Sequence, residues 1–213
     1  MDIAHYPYSI EFLFATLREE ISLQKQVLRT RILLQLNACS SETLKGWNDS
    51  IQKKVLSSDL FLRSQSIGLY RSLPTEVDTQ IIFDEALKQG KKIAFPKVKD
   101  SQGPLYFFWV EDAQQMSCSQ WGVMEPDEKL GARSAFLSEM DLLIIPGLAF
   151  DRQGYRLGRG KSFYDRTLKS FFGQRLGLAY SFQIFDELPR EAWDQKINWL
   201  VSEEEWIQVG EDF

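Results

Sequence analysis

Residues 141–165 have the sequence DLLIIPGLAFDRQGYRLGRGKSFYD, in which an apolar run is followed by a basic, glycine-rich turn. The four apolar residues before Pro146 predict a strand that is covered on both faces of a sheet. Residues 163–172 predict a helix directly after the turn. This order is typical of a mostly parallel sheet with crossover helices, in which ligands bind beyond the carboxyl ends of the strands.

Patterns elsewhere in the chain predict the same fold class. Apolar residues three or four positions apart predict helices at residues 9–37, with Ser9 as the N-cap, at 41–57 and at 79–89. Short β-like runs predict strands at residues 66–71, 92–96, 175–181 and 197–201, and a segment at 105–110 that pairs antiparallel with the preceding strand. We therefore expect an α/β protein with three α/β/α layers, a mostly parallel Rossmann-like central sheet, a β-hairpin excursion and an N-terminal helical region. We expect residues 1–20 to be an extension of unknown role and residues 21–213 to be a single domain.

Composition excludes several classes of function. The 213 residues include 25 Lys plus Arg and 30 Asp plus Glu, a formal charge of −5, so the overall charge does not favour nucleic acid. Because His5 is the only histidine, a Ser-His-Asp centre or a zinc site built from several histidines is improbable. Cys39 and Cys118 are expected to be buried free thiols, which suits a reducing cytoplasm. The first 17 residues contain no Lys or Arg, and no membrane segment is predicted, so we expect a cytoplasmic protein. We also expect a monomer.

The basic turn predicts a phosphate site. Gly158 and Gly160 allow the backbone to approach a ligand closely, and the N–H groups of the following helical turn favour an anion. Arg156, Arg159 and Lys161 lie at the positive end of that helix, where each cation is disfavoured by roughly 0.3–1 kcal/mol unless an anion compensates. A solvated turn between a strand and a helix is the alternative.

Neither common nucleotide motif matches this turn. Five residues, rather than the four of a Walker A loop, separate Gly154 from Gly160, and Phe163 replaces the third glycine of the dinucleotide pattern. Asp165 follows Lys161 by four residues. Beside a polyphosphate it could hold Mg²⁺, or it could pair with Lys169 one helical turn later.

The stretch resembles the distinctive block of the 5-formyltetrahydrofolate cyclo-ligase family, Pro-Gly-x-x-Phe-Asp-x-x-Gly-x-Arg-Leu-Gly-x-Gly-Lys-Gly-Tyr-Tyr-Asp. Residues 146–165 follow this block without a gap, except that Ser162 replaces a glycine and Phe163 replaces the first tyrosine. Further similar segments extend the resemblance over residues 22–205. They are Lys25-x-x-x-Arg29, the loop that contains Glu76, the strand at residues 93–98, the segment that begins at Trp121, and Asp194, although Asn198 replaces a second acidic residue.

The resemblance implies that ATP phosphorylates the formyl oxygen of 5-formyltetrahydrofolate, polyglutamylated or not, and that attack by N10 gives 5,10-methenyltetrahydrofolate, ADP and phosphate. It implies four groups of site residues. The nucleotide would bind Lys25, Arg29, Arg156, Gly158, Arg159, Gly160, Lys161 and Asp165; the folate would bind Glu76, Trp121 and Tyr164; and Asp165 and Asp194 would hold Mg²⁺. Lys161, Arg156 and Tyr164 would be the catalytic residues.

The same residues allow other roles and other functions. Trp121 could belong to the core, and Glu76 could be a solvated loop residue. The chain could be a catalytically impaired nucleotide- or folate-binding protein of the same fold, with Phe163 and Asn198 marking the loss. It could also be a small-molecule kinase that shares the phosphate turn.

Overall fold

The computed structural model describes residues 10–119 and 122–210, with side chains from Phe14 onward. The predicted N-cap Ser9, Trp121 and most of the predicted extension at residues 1–20 therefore lie outside the described residues. The part of that extension from Ile10 onward belongs to the first helix, which continues through position 21 without a break.

The described helices agree with the predicted ones except for an additional short helix and an earlier end of the last one. They are α1 (Ile10–Ala38), α2 (Ser41–Leu56), α3 (Asp59–Arg63), α4 (Gln80–Lys88) and α5 (Phe163–Leu168). The five-residue α3 is too short to produce a periodic pattern and was not predicted. The helix predicted for residues 163–172 is too long, because the Arg175 guanidinium donates to the carbonyls of Leu168 and Phe171 at 2.8 and 2.6 Å and caps the helix there.

The strands of the described chain are short. They are β1 (Ser66–Gly68), β2 (Lys92–Lys97), β3 (Tyr106–Trp109), β4 (Met116–Cys118), β5 (Met124–Pro126), β6 (Arg133–Ala135), β7 (Leu142–Ile145), β8 (Ala149–Asp151), β9 (Arg156–Leu157), β10 (Gln174–Leu178), β11 (Ile184–Phe185), β12 (Trp199–Val201) and β13 (Trp206–Gln208). Eight of them form one sheet in the order β13-β12-β10-β7-β1-β2-β3-β6. The others form a β11-β8-β9 sheet and a β4-β5 pair.

The centre of the large sheet is parallel and its edges are antiparallel. β2, β1, β7, β10 and β12 pair in parallel, whereas β3 pairs antiparallel with β2 as predicted, and β13 pairs antiparallel with β12. Taken in chain order, the parallel strands lie as 2-1-3-4-5. The direction of winding thus reverses between β1 and β7, and at such a reversal a crevice opens beyond the carboxyl ends of the strands.

β7 is apolar throughout because both of its faces are covered. Leu142 and Ile144 belong to a buried cluster with residues of α1 to α4, and Leu143 and Ile145 belong to a second cluster with residues of α5. Each such side chain contributes roughly 1.5–3 kcal/mol when fully buried. In β1, a Cβ at Gly68 would lie 2.4 Å from Leu143 Cδ1, so glycine is required for β1 to pack beside β7.

Two predictions about the chain's thiols and strands need correction. Cys39 and Cys118 are free, but Cys118 is exposed and Cys39 is half-buried, since they lie at the end of α1 and on the edge pair β4-β5. β1 ends at Gly68 rather than at residue 71, because Tyr70, Arg71 and Leu73 leave the sheet and line the crevice at its end. Among the described residues, no helix has the length and apolarity needed to cross a membrane.

Candidate active site

A cavity of about 490 Å³ lies in the crevice where β1 and β7 end. Its walls come from α1, the loop after β1, the glycine turn, and the segment before β12. The candidate residues that line it are Lys25, Arg29, Glu76, Arg156, Gly158, Arg159, Gly160, Lys161, Tyr164, Asp165 and Asp194. Trp121 lies outside the described residues, while Val123 and Met124 of the same segment contribute to the wall.

Arg156 and Asp165 form a buried ion pair at the base of the cavity. Arg156 Nη2 donates to Asp165 Oδ1 at 3.1 Å, so Asp165 pairs with this arginine and not with Lys169. The guanidinium carbon lies 5.2 Å from the centroid of the Tyr164 ring. Arg156 Nε is buried and has no hydrogen-bond partner within the described chain, which is uncommon for a buried donor.

The glycine turn adopts a backbone that side chains tolerate poorly. Gly160 has φ +98° and Ser162 has φ +50°, both in the left-handed region. At Gly158, a Cβ would lie 2.8 Å from Arg156 Nη1. The turn therefore keeps its backbone close to the cavity. Lys161 is exposed, and within the described residues its ammonium makes no ion pair.

Glu76 enters the cavity from the loop after β1. Its Oε2 accepts the Leu73 N–H at 3.0 Å, and its Oε1 accepts Arg159 Nε at 3.4 Å. Burial raises the pKa of Glu76, against the opposing effects of the Leu73 N–H and Arg159. Glu76 is thus a largely buried group facing the cavity, with its side chain 10% exposed, and not a solvated loop acid.

Two carboxylates hold Lys25 on the wall formed by α1. Lys25 Nζ lies 2.8 Å from Glu191 Oε2 and 2.6 Å from Asp194 Oδ2, and the Lys25 side chain is 8% exposed. One helical turn later, Arg29 Nε donates to the Gly158 carbonyl at 2.9 Å. α1 is therefore joined directly to the glycine turn, although the two segments lie far apart in sequence.

Sequence reasoning missed three residues that support the site. Asp151 is fully buried, and its carboxylate accepts the N–H groups of Gln153, Tyr155 and Leu188, which shapes the start of the turn. Arg166 donates to the carbonyls of Lys161 and Gly103 and braces the turn against the β-hairpin. Glu191 completes the Lys25 pair, and its spacing of three residues from Asp194 is the one signal that could have indicated it.

Asn198 is not a cavity residue. Its side-chain oxygen accepts the Arg175 N–H at 3.0 Å, where β10 and β12 begin, at the opposite end of the strands from the crevice. Asparagine at this position therefore removes no charge from the cavity, whereas Phe163 lines it.

The cations of the cavity suit an extended anion. Five cationic side chains line the cavity, namely Lys25, Arg29, Arg156, Arg159 and Lys161. Tyr164 and several apolar side chains complete its walls. Such a site suits positioning of phosphates and neutralisation of developing charge rather than attack by a protein nucleophile.

Comparisons with known proteins agree with this chemistry. The model of the 5-formyltetrahydrofolate cyclo-ligase family matches residues 21–203. A probable 5-formyltetrahydrofolate cyclo-ligase of Schizosaccharomyces pombe is 28% identical over 202 residues, and the match covers 88% of this chain and 99% of the relative. The 5-formyltetrahydrofolate cyclo-ligase of Escherichia coli K12 is 34% identical over 136 residues, 62% of this chain and 74% of the relative.

A solved structure extends the similarity to the fold. The 5,10-methenyltetrahydrofolate synthetase of Aquifex aeolicus superimposes with a TM-score of 0.79 at 33% identity, covering 89% of this chain and 94% of the other. Because the family model matches most of the sequence and the similarity in structure covers the same region, the chain belongs to the 5-formyltetrahydrofolate cyclo-ligase family.

Proposed function

We propose that this enzyme uses ATP to convert 5-formyltetrahydrofolate to 5,10-methenyltetrahydrofolate, with release of ADP and phosphate. The observation that carries the proposal is the convergence of the glycine turn, the α1 cations and Glu76 on one cavity. Family membership supports the reaction, and the cationic and apolar walls of the cavity support binding of a triphosphate and a folate ring.

The reaction requires two substrates to be held in line. The formyl oxygen attacks the γ-phosphorus of ATP, and ADP leaves. N10 then attacks the activated formyl carbon and gives up its proton, and loss of phosphate leaves the methenyl bridge. We assign Lys25, Arg29 and Arg159 to the phosphates, and Lys161 and Arg156 to the charge that develops on the transferred group.

Tyr164 and Glu76 are assigned to the folate. Burial raises the pKa of Tyr164, so its hydroxyl stays protonated and remains a hydrogen-bond donor. Glu76 would accept hydrogen bonds from the N–H groups at the edge of the pterin. We retain Trp121 as a further wall of the folate site.

Mg²⁺ suits the donors that the cavity offers. Within the described chain, no three His, Cys, Asp or Glu side chains cluster, but Mg²⁺ commonly needs only one or two carboxylates together with substrate phosphates. Asp165 and Asp194 line the cavity, and each uses one carboxylate oxygen in an ion pair. When bound, the metal would neutralise phosphate charge, and we assign these two carboxylates to it.

We also propose the finer architecture. The helices would cover the sheet as the outer layers of a three-layer, Rossmann-like domain spanning residues 21–213, with residues 1–20 as an extension and with a monomeric chain. The two separate buried clusters, one including residues of α1 to α4 and one including residues of α5, support the layers.

The test is a direct assay of the product. Purified protein is mixed with Mg-ATP and 5-formyltetrahydrofolate, and the ultraviolet absorbance of the methenyl product is followed, with ATP omitted as the control. We expect ATP-dependent growth of that absorbance together with release of ADP. Binding of both ligands without product would instead indicate the catalytically impaired binding protein, and a phosphorylated acceptor without cyclisation would indicate a kinase.

A further inference from the structure

Arg159 lies between the two proposed subsites of the cavity. It belongs to the glycine turn, yet its guanidinium points at the loop after β1, where Nε donates to Glu76 Oε1 and Nη2 donates to Thr75 Oγ1. The Arg159 side chain is 39% exposed, and that of Glu76 is 10% exposed. Of the two partners, Arg159 is therefore the one that can move.

The contact with Glu76 is weak compared with what a phosphate offers. The Nε to Oε1 distance is 3.4 Å, whereas charge-assisted N–H to oxygen bonds are typically about 2.7–2.9 Å and a phosphate can accept two of them from one guanidinium. A triphosphate on the glycine turn would therefore draw Arg159 away from Glu76. The Leu73 N–H would still hold Glu76 Oε2 at 3.0 Å and keep the carboxylate in place.

Movement of the Arg159 guanidinium away from Glu76 would free Glu76 Oε1 for the folate. With Arg159 in its present position, one oxygen of Glu76 accepts from the backbone and the other from the guanidinium. Once Arg159 turns to the phosphates, Oε1 faces the cavity without a protein donor, and it can accept an N–H group of the pterin.

We propose that Arg159 is a positioning residue that couples the two substrates, so that nucleotide binding releases Glu76 and strengthens folate binding. This inference rests on the proposed function. Coupling of this kind is reciprocal, so folate must strengthen nucleotide binding by the same factor. Thr75 has the matching role of holding Arg159 near Glu76 until the nucleotide arrives.

The test is a calorimetric titration of 5-formyltetrahydrofolate into the full chain, with and without the non-hydrolysable analogue β,γ-imido-ATP and Mg²⁺. We expect the wild-type protein to bind the folate at least about fivefold more tightly with the analogue present, the lower end of typical coupling. Arg159→Ala is expected to bind the folate more tightly than the wild type when nucleotide is absent, and to show less than about a twofold change when it is added. The matched control is Arg133→Ala, which breaks an exposed Arg133–Glu111 pair outside the cavity and should keep the wild-type response.

The outcomes separate the two proposals. Wild-type protein that binds neither ligand would remove the proposed function and the coupling with it. Wild-type protein that binds both ligands independently, or Arg159→Ala that binds the folate more weakly without nucleotide, would overturn the coupling alone. A gain in affinity on loss of an arginine is a result that a merely structural role for Arg159 would not produce.

Discussion

Replacement of Lys25 by methionine should destabilise the protein and weaken nucleotide binding for two different reasons. Methionine keeps an unbranched side chain that is one heavy atom shorter and removes the charge. Glu191 and Asp194 then keep their negative charges at 19% and 9% exposure without the ammonium between them. Breaking a buried ion pair by removing one partner typically costs about 3–5 kcal/mol, and because these groups are slightly exposed we expect a loss near 3 kcal/mol.

The two effects can be separated by further substitutions. In Lys25→Met/Glu191→Gln/Asp194→Asn, no charge is left unpaired, so most of the lost stability should return. The matched control is Glu191→Gln/Asp194→Asn, which keeps Lys25. Because the control and the triple variant lack the same carboxylates, any difference in nucleotide affinity between them belongs to Lys25.

Urea unfolding followed by tryptophan fluorescence measures the first effect, and calorimetric titration with ATP measures the second. A hydrogen bond to a charged group contributes about 1.5–3 kcal/mol, so the triple variant should bind ATP roughly 10- to 100-fold more weakly than its control. Unchanged stability in Lys25→Met would contradict the ion-pair geometry. Equal ATP affinity in the triple variant and its control would show that Lys25 has a structural role alone.

Three further predictions concern the turn and Glu76. Lys161→Ala should abolish turnover and change the unfolding free energy by less than about 0.5 kcal/mol, while the exposed control Lys169→Ala stays active; full activity of Lys161→Ala would refute its role. Gly160→Ala should lower the free energy of unfolding in urea by about 1–2 kcal/mol because the φ angle of Gly160 is +98°, whereas Ser162→Gly should not lower it. Equal losses of stability in the two variants would contradict the left-handed backbone. Burial raises the pKa of Glu76 above 4.5, so the folded state binds more protons and stability should fall as pH rises from 4.5 through the raised pKa. The fall in stability that Glu76 causes should vanish in Glu76→Gln. Parallel curves of unfolding free energy against pH for the two proteins would exclude this effect of Glu76.

The parts of the fold that local pattern determines were predictable. The buried strand β7 follows from four apolar residues in a row. The three long helices follow from helical spacing, and the β2-β3 hairpin follows from a glycine-proline turn. The two- and three-residue strands β4, β5, β6, β8 and β9 carry no such pattern. Their conformation depends on partners elsewhere in the chain and not on the propensity of two or three residues.

The candidate site was predictable in its members but not in its pairings. The glycine turn showed its chemistry in sequence because its glycines and cations are contiguous. The partners of those cations lie far away in the chain, 83 positions from Arg159 to Glu76 and 166 from Lys25 to Glu191. Such pairs arise where the sheet reverses its winding, which no local pattern encodes.

We propose that the cavity binds the triphosphate of a nucleotide through the basic glycine turn. Calorimetric titration of Mg-ATP into the wild-type protein and into Arg156→Met/Lys161→Ala tests it most directly. We predict saturable binding of one nucleotide per chain in the wild type and a loss of at least about tenfold in affinity in the variant, equivalent to one charged hydrogen bond. No heat with the wild type, or equal affinity in the two proteins, would contradict the claim.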